Sequence, residues 1–333
     1  MKLNRMNPSV SVIMAAYNCA PYINQAINSV LSQTWSDLEI IVVDDGSTDG
    51  SSDILEQLSR EDNRIRVFHQ TNSGRPSIAR NSALKHARGR YICFLDADDF
   101  YENGRIELLL HELIKHQDWV AVFHDMKLLE EDGLTLVRTY LSDSNFVNNA
   151  APWISHIGGV WFECRENFYH FMSLKYAAIH TSTILIDSDK FCLSQILFNE
   201  NFSICEDTDL WIRLGMAGKL GYCDMTLSNY RQHPTSITQR QSLLLRETAR
   251  FHEFNYTRLQ QHLSNAELST YRIKISNAWL YLGYDLFCQL NSMNDARIAY
   301  LQGFLWHPSI KIFTAFLKTF IPKFVIRYYQ ANN

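Results

Sequence analysis

The feature that most constrains this sequence is an alternation across its first 118 residues. Short, continuous apolar runs are each followed by a segment with helical apolar spacing. The runs are Val10–Met14, Glu39–Val43, Ile65–Phe68 and Tyr91–Leu95. After the first, Ile23, Ala26, Ile27, Val30 and Leu31 fall at i, i+3, i+4, i+7 and i+8, one helix face within Pro21–Gln33. Pro21 suits a first helical turn, where its missing N–H costs nothing. Ile54, Leu55 and Leu58 mark a second helix, Ser77–Ala87 a third, and Ile106, Leu109, Leu110, Leu113 and Ile114 a further stripe. Uninterrupted apolar strands separated by amphipathic helices predict an α/β fold with a Rossmann-like, mostly parallel sheet flanked by helices. In such sheets ligands bind beyond the carboxyl ends of the strands. Tyr17-Asn18, Asp44-Asp45 and Asp96-Ala97-Asp98 stand at three of those ends and should converge on one edge.

Beyond residue 118 the pattern changes. Trp119–Leu129 and Leu134–Tyr140 flank Glu131-Asp132-Gly133, a turn between strands. Residues 142–175, rich in Asn, aromatics and Gly158-Gly159, have no clear period and read as loop and short helices around an acceptor pocket. Ala177–Ile186 and Leu227–His233 read as strands, and Asp207–Ala217 as a helix. From about residue 240 the chain reads as helices. We therefore expect a first domain over 1–238, with halves at 1–118 and 119–238, and a helical region over 239–333.

The acidic clusters suggest chemistry. Residues i and i+2 of a strand share a side, so Asp96 and Asp98 after Ile92-Cys93-Phe94-Leu95 would reach one hard cation together. Mg²⁺ and Mn²⁺ both take oxygen ligands. The alternative, aspartates capping the next helix, is less favoured at an edge where ligands bind. Asp44-Asp45-Gly46-Ser47 reads as a turn with Ser47 or Thr48 as a cap, and equally as a carboxylate accepting a base N–H. Glu206-Asp207 suits a helix start. No G-x-G-x-x-G or G-x-x-x-x-G-K-[ST] follows these strands, which argues against a dinucleotide dehydrogenase and a P-loop phosphotransferase. The formal charge of −4 supplies no basic field, so no nucleic-acid partner is expected.

Ser11–Asn18, Val42–Asp49, Asn72–Asn81 and Phe94–Asp99 together resemble family 2 glycosyltransferases of the GT-A fold, and Cys205–Trp211 and Tyr230–Ser236 extend the resemblance over residues 9–238. Ala15-Ala16 stands where Pro or Thr is common in that family. The resemblance implies an inverting transfer of sugar from a nucleotide-diphospho-sugar, UDP-linked, to a hydroxyl of a glycan or lipid-linked acceptor in polysaccharide biosynthesis. It implies roles by position. Ala15, Tyr17 and Asp45 line the nucleobase pocket beside Asn18, and Arg80 lies near the donor sugar or diphosphate. Asp96 meets the ribose or donor sugar, Asp98 binds Mn²⁺ or Mg²⁺, and His233 approaches the metal or diphosphate. Asp207 is the catalytic base and Glu206 orients the acceptor. No Arg-Trp pair occurs, as a processive Q-x-x-R-W synthase needs, so single-sugar transfer is favoured. The rival reading is a catalytically silent sugar-nucleotide-binding or membrane-docked scaffold, against which the complete acidic set argues. A sugar-1-phosphate nucleotidyltransferase would need a Gly-rich, Arg-containing loop where Tyr17–Pro21 stands.

Residues 296–333 carry Arg297, Lys311, Lys318, Lys323 and Arg327 and no acid. Ile310, Phe313, Leu317, Phe320, Ile321, Phe324 and Tyr328 lie at roughly helical spacing around Pro322. A basic amphipathic segment of this kind suits a membrane interface, with packing on the domain or on a second copy in a homodimer as the alternatives. There is no run of 18 apolar residues, no secretion signal is expected, and the seven cysteines include no C-x-x-C pair. These features fit a cytoplasmic chain, peripheral on the inner face of the membrane.

Overall fold

Val10, Val12, Ile13 and Met14 are completely buried in the first strand, β1 (Val10–Ala16). That is the burial a continuous apolar run needs at the centre of a sheet covered on both faces. The structure, a computed structural model, describes residues 8–234, 236, 240–288 and 292–321. The chain divides between His233 and Pro234 into two units.

In the first unit β1 is followed by α1 (Ile23–Leu31), β2 (Leu38–Asp44), α2 (Ser51–Glu61), β3 (Ile65–His69), α3 (Pro76–Leu84) and β4 (Tyr91–Phe94). Then come β5 (Phe100–Tyr101), α4 (Arg105–Lys115), β6 (Trp119–Leu129), β7 (Leu136–Thr139), α5 (Phe146–Ala150), β8 (Ile154–Gly158) and β9 (Trp161–Cys164). The unit ends with α6 (Phe168–Leu174), β10 (Ile184–Asp187), α7 (Glu206–Ala217) and β11 (Lys219–Arg231). The sheet order is β3-β2-β1-β4-β10-β6-β11-β9-β8, with β5 on β11 and β7 on β6. The first four strands are parallel. β10 then runs antiparallel to both β4 and β6, while β6 and β11 are parallel to each other. The sheet is thus mixed overall and parallel in its core. The expected stripe of α1, through Ile23, Ala26, Ile27 and Val30, is buried against that core, as are Ile106, Leu109, Leu110 and Leu113 of α4.

Three segments differ from the sequence expectation. Within 142–175 an antiparallel hairpin, β8–β9, stands beside α5 and α6. Its turn is made by Gly158 and Gly159, both at positive φ (129° and 57°), where glycine carries no Cβ penalty. Ala177–Ile186 is mostly irregular, with a single 3₁₀ turn at Thr181–Thr183 before the short β10. The last strand, β11, starts at Lys219 rather than Leu227, and register shifts along its pairing with β6 let it bend.

The second unit is helical: α8 (Gln241–Leu259), α9 (Asn265–Cys288), α10 (Met293–Trp306) and α11 (Ile310–Lys318). Leu280, Leu282, Leu286, Ala296, Ala299, Tyr300, Ile312 and Ala315 form its apolar core. Gly283 lets α9 and α10 approach, because a Cβ there would run into the Tyr300 ring.

Candidate active site

Register fixes the edge where the polar clusters meet. Ala16 of β1 lies opposite Asp44 of β2, and Ile13 opposite Phe94 of β4, so these parallel strands present their carboxyl ends together. Beyond β1, Tyr17 is 53% exposed. Asn18 adopts φ +48°, a conformation that asparagine tolerates well. Its N–H donates to Ser47 Oγ (3.0 Å) and its Oδ1 accepts from the Thr48 N–H (2.8 Å). Asn18 thereby stitches the β1–α1 loop to the β2–α2 loop, and half-buried Ala15 lies just before it.

The two aspartates ending β2 do different work. Asp44 is buried and accepts from the Ser47 N–H (3.1 Å), from Ser52 Oγ and from the His69 ring (3.1 Å). Burial pushes its carboxyl up, but the bonds from Ser47, Ser52 and His69 outweigh this and hold it below its ordinary value. Asp45 accepts from Gln70 Nε2 (2.6 Å), the Ser73 N–H (3.0 Å) and Ser73 Oγ (2.8 Å). It therefore pins the segment leading into α3.

The Asp96–Asp99 segment corrects the strand-based expectation. β4 stops at Phe94, and the Asp99 N–H donates to the Asp96 carbonyl (3.0 Å), closing a turn. The i, i+2 alternation ends with the strand, so the carboxylates splay to separate partners. Asp96 Oδ1 meets Arg80 Nη2 at 2.6 Å, and Arg80 Nη1 meets Glu206 Oε1 at 2.8 Å. Asp98 Oδ2 lies 2.8 Å from His233 Nε2. Asp99, fully buried, accepts from Ser182 Oγ (2.7 Å) and the Arg231 N–H (3.2 Å). Burial, then the neighbouring Asp98 and Asp96 charges, push the Asp99 carboxyl well above its ordinary value.

Arg80 is the hinge of this arrangement. It is buried in α3 with its guanidinium 5.2 Å from the Phe198 ring centroid. Burial disfavours its charge, but Asp96 and Glu206 more than restore it. Asp96 is correspondingly held below its ordinary value: burial opposes ionisation, and Arg80 and then His180 overcome it. Glu206 goes the other way. Burial and then the adjacent Asp207 charge outweigh Arg80 and push it up to about 7.

Glu206 and Asp207 open α7, where acidic side chains interact favourably with the helix dipole. They differ in access. Glu206 is buried, whereas Asp207 is half-buried, its Oδ1 accepting from the Thr208 N–H at 2.6 Å.

The closing segment is braced from behind. Arg231 Nε donates to the Asp98 carbonyl (3.2 Å), Nη1 to the Glu131 carbonyl (2.6 Å) and Nη2 to Gln25 Oε1 (2.5 Å). Its guanidinium lies 5.0 Å from the Tyr22 ring centroid. The Tyr22 ring lies 5.0 Å from that of His233, and its hydroxyl donates to Glu131 (2.9 Å). Sequence reasoning missed Tyr22, Asp99, His180, Ser182 and Arg231. Asp99 and Arg231 do sit inside the quoted motifs, but nothing local marks His180, Ser182 or Tyr22 as their neighbours.

Among the described residues, oxygen and imidazole ligand atoms of Asp96, Asp99 and His180 lie within 4.8 Å of one another. That group has the chemistry to hold a divalent cation that accepts both oxygen and imidazole, and Asp98 with His233 is a second carboxylate–imidazole pair. Of the sequence-derived residues, Arg80, Asp96 and Glu206 are joined directly, Asp98 and His233 form a second pair, and Asp45 and Asn18 organise the adjoining loops.

Residues 11–166 match the model of glycosyl transferase family 2. The chain is 31% identical over 237 residues to TuaG of Bacillus subtilis, a glycosyltransferase named for teichuronic acid biosynthesis; the match covers 71% of this chain and 84% of TuaG. It is 32% identical to the uncharacterized glycosyltransferase EpsJ of the same organism, over 70% of this chain and 64% of that protein's length. It is 30% identical to the hyaluronan synthase of Pasteurella multocida, over 69% of this chain but only 21% of that protein. Among solved structures, S. aureus TarS superposes with a TM-score of 0.62 at 19% identity, over 91% of this chain and 50% of TarS. The mannosyltransferase PcManGT of Pyrobaculum calidifontis, in complex with GDP-Man and Mn²⁺, superposes with a TM-score of 0.55 at 14% identity, over 95% and 88%. These likenesses identify the fold as GT-A.

Proposed function

Since the chain belongs to glycosyl transferase family 2, we propose that it is an inverting enzyme of polysaccharide biosynthesis, moving one sugar from a UDP-linked donor to a hydroxyl of a glycan or lipid-linked acceptor. TuaG and the hyaluronan synthase, by their names, and TarS, solved with UDP-GlcNAc, support that substrate class. The observation that carries the reading is the difference between two adjacent carboxyls: Glu206 is buried against Arg80, and Asp207 is only half-buried.

A sugar hydroxyl is a poor nucleophile at neutral pH, so a carboxylate within hydrogen-bond reach must take its proton during attack. Asp207 has the access to do so. A single base facing the anomeric carbon, opposite the leaving group, gives in-line displacement with inversion. Glu206 acts through Arg80, holding the guanidinium beside Asp96 where a donor diphosphate or sugar can use it. Asp98, His233 and Asp96 are the residues to hold Mn²⁺ or Mg²⁺, whose charge would offset that of the departing diphosphate. Ala15, Tyr17, Asn18 and Asp45 border the nucleobase pocket. In this reading residues to about 118 hold the donor, 119–238 the acceptor, and 239–333 serve as a helical extension. Seven cysteines without a C-x-x-C pair support a reducing, cytoplasmic location.

A panel of nucleotide sugars with Mn²⁺ or Mg²⁺ identifies the donor by thermal shift and hydrolysis. Asp207→Asn should then keep the donor-induced thermal shift and lose transfer by about three orders of magnitude, the middle of the range of general-base contributions. Full turnover by that variant removes the base assignment.

A further inference from the structure

Among the described residues, the α10–α11 pair of the second unit leaves an apolar face exposed. On α10, Ile298, Leu301, Phe304 and Leu305 are 56%, 48%, 37% and 71% exposed. On α11 and just after it, Ile310, Phe313, Leu317, Phe320 and Ile321 are 83%, 50%, 49%, 58% and 41% exposed. They lie on the side opposite Ile312 and Ala315, which fill the core. The two stripes join, because the Phe304 and Phe313 rings sit 6.4 Å apart. Arg297 lies 4.3 Å from the Phe320 ring centroid, and its guanidinium donates to the Thr319 carbonyl (2.9 Å), placing a cation at one end of the face. Lys311 and Lys318 are exposed on α11. The sequence after residue 321 adds Lys323 and Arg327 and, like all of 296–333, has no acid.

Large contiguous apolar patches are uncommon on soluble proteins and mark interaction surfaces. Charge decides the occupant here. A second copy docked face to face would set Arg297, Lys311 and Lys318 against their own copies, with Asp295 at the start of α10 the one carboxylate of these two helices to answer three cations. A bilayer of anionic lipid offers the opposite charge and an apolar layer for Phe313, Leu317 and Phe320. Among the described residues no helix is long and apolar enough to cross a membrane, so the face would lie on the bilayer rather than span it. We infer that the exposed face of α10 and α11 docks this protein onto an anionic lipid surface, with the aromatic and aliphatic side chains in the interface and Arg297, Lys311 and Lys318 on the headgroups. Such docking would keep the enzyme beside a lipid-linked acceptor, but the surface stands independently of the transfer reaction.

The test is flotation of the full-length protein with vesicles of phosphatidylcholine alone or with 30% phosphatidylglycerol, at low and high salt. We expect flotation with the anionic vesicles only, weakened by salt. Phe313→Asp/Leu317→Asp, whose positions are exposed and should not disturb folding, should abolish it. Lys311→Glu/Lys318→Glu should lower the partition coefficient by roughly 30-fold or more, given ~1 kcal/mol per cation at an anionic surface. Circular dichroism confirms that the variants fold. No flotation with anionic vesicles overturns the inference, as does flotation indifferent to both pairs of substitutions. A dimer in light scattering that Phe313→Asp/Leu317→Asp converts to monomer assigns the face to a second copy and also overturns it. Because flotation is read without sugar transfer, an inactive protein that floats sinks the proposed reaction and leaves the docking face intact.

Discussion

Replacing Arg80 with Met keeps the length of the side chain and removes the one guanidinium that Asp96 and Glu206 share. Arg80 is only 6% exposed and Glu206 is buried with it, so the Glu206 carboxyl does not regain water when Arg80 goes, whereas the Asp96 side chain keeps its 22% exposure. Removing one partner of a buried ion pair costs about 3–5 kcal/mol, because the remaining charge is left uncompensated. The loss should depend on pH, and its sign follows from the two acids. Glu206 sits at about 7 in the folded protein against an ordinary 4.5, so its contribution to stability is complete below 4.5 and is lost as pH rises through about 7. That rise is worth about 3 kcal/mol. Asp96 is held below its ordinary value, so its contribution is present above that value and is lost as pH falls through the folded one. Without Arg80 both carboxyls move up. The deficit of Arg80→Met should therefore reach about 3–5 kcal/mol at pH 8 and shrink to about half or less at pH 5.5, where protonation spares the buried charges. Urea unfolding followed by circular dichroism at the two pH values measures it. In a Glu206→Gln background the same substitution should cost less, since one of the two charges is already gone. A deficit equal at both pH values, or larger at pH 5.5, refutes the shared-guanidinium argument.

Two further outcomes bear on the residues proposed to hold a cation. Asp98→Ala should weaken Mn²⁺-dependent donor binding by at least about tenfold while leaving metal-free nucleotide binding unchanged, measured by calorimetry with and without chelator; equal loss in both conditions would place Asp98 outside the metal's reach. Gly133→Ala should cost about 1–2 kcal/mol from its φ of +69° alone. The new Cβ would also press on the Arg231 guanidinium, so metal-dependent donor affinity should fall with it; unfolding and calorimetry read the two effects separately.

The first hundred residues were legible because each level of description agreed. Val10–Met14 and Glu39–Val43 are apolar except for Ser11 and Glu39, which hydrogen-bond to each other (2.7 Å), and form parallel strands buried on both faces; the stripe through Ile23, Ala26, Ile27 and Val30 is the one that packs on them. Agreement between local pattern and global burial is what makes periodicity readable. The segment 142–175 lacks it. Its β8–β9 hairpin exposes His156, Ile157 and Gly158 in succession, so there is no apolar alternation to read, only the Gly158-Gly159 turn. Ala177–Ile186 misled for the opposite reason. Its apolar and β-branched residues suit a strand, but Thr181, Ser182 and Thr183 turn inward as hydrogen-bonding groups near the acidic cluster, and the ladder begins only at Ile184.

The acidic residues were identifiable from sequence, but their connections were not, and the physical reason is charge. Asp96, Asp98 and Asp99 crowd three carboxyls into four positions, a local arrangement that is repulsive by itself. The fold resolves it by sending each to a different distant segment: Asp96 to Arg80 of α3, Asp98 to His233 after β11, and Asp99 to Ser182 within the 3₁₀ turn and the backbone of Arg231. A strand would have kept Asp96 and Asp98 side by side; a turn lets them separate. Burial first, and then the same repulsion, raise Asp99, so that it can brace the turn in its neutral form while Arg80 keeps Asp96 ionised. None of these partners is close in sequence, and no spacing rule spans from residue 98 to residue 233. What the sequence displays is therefore an excess of negative charge at one sheet edge, and only long-range packing determines which cation, guanidinium or imidazole answers each carboxyl.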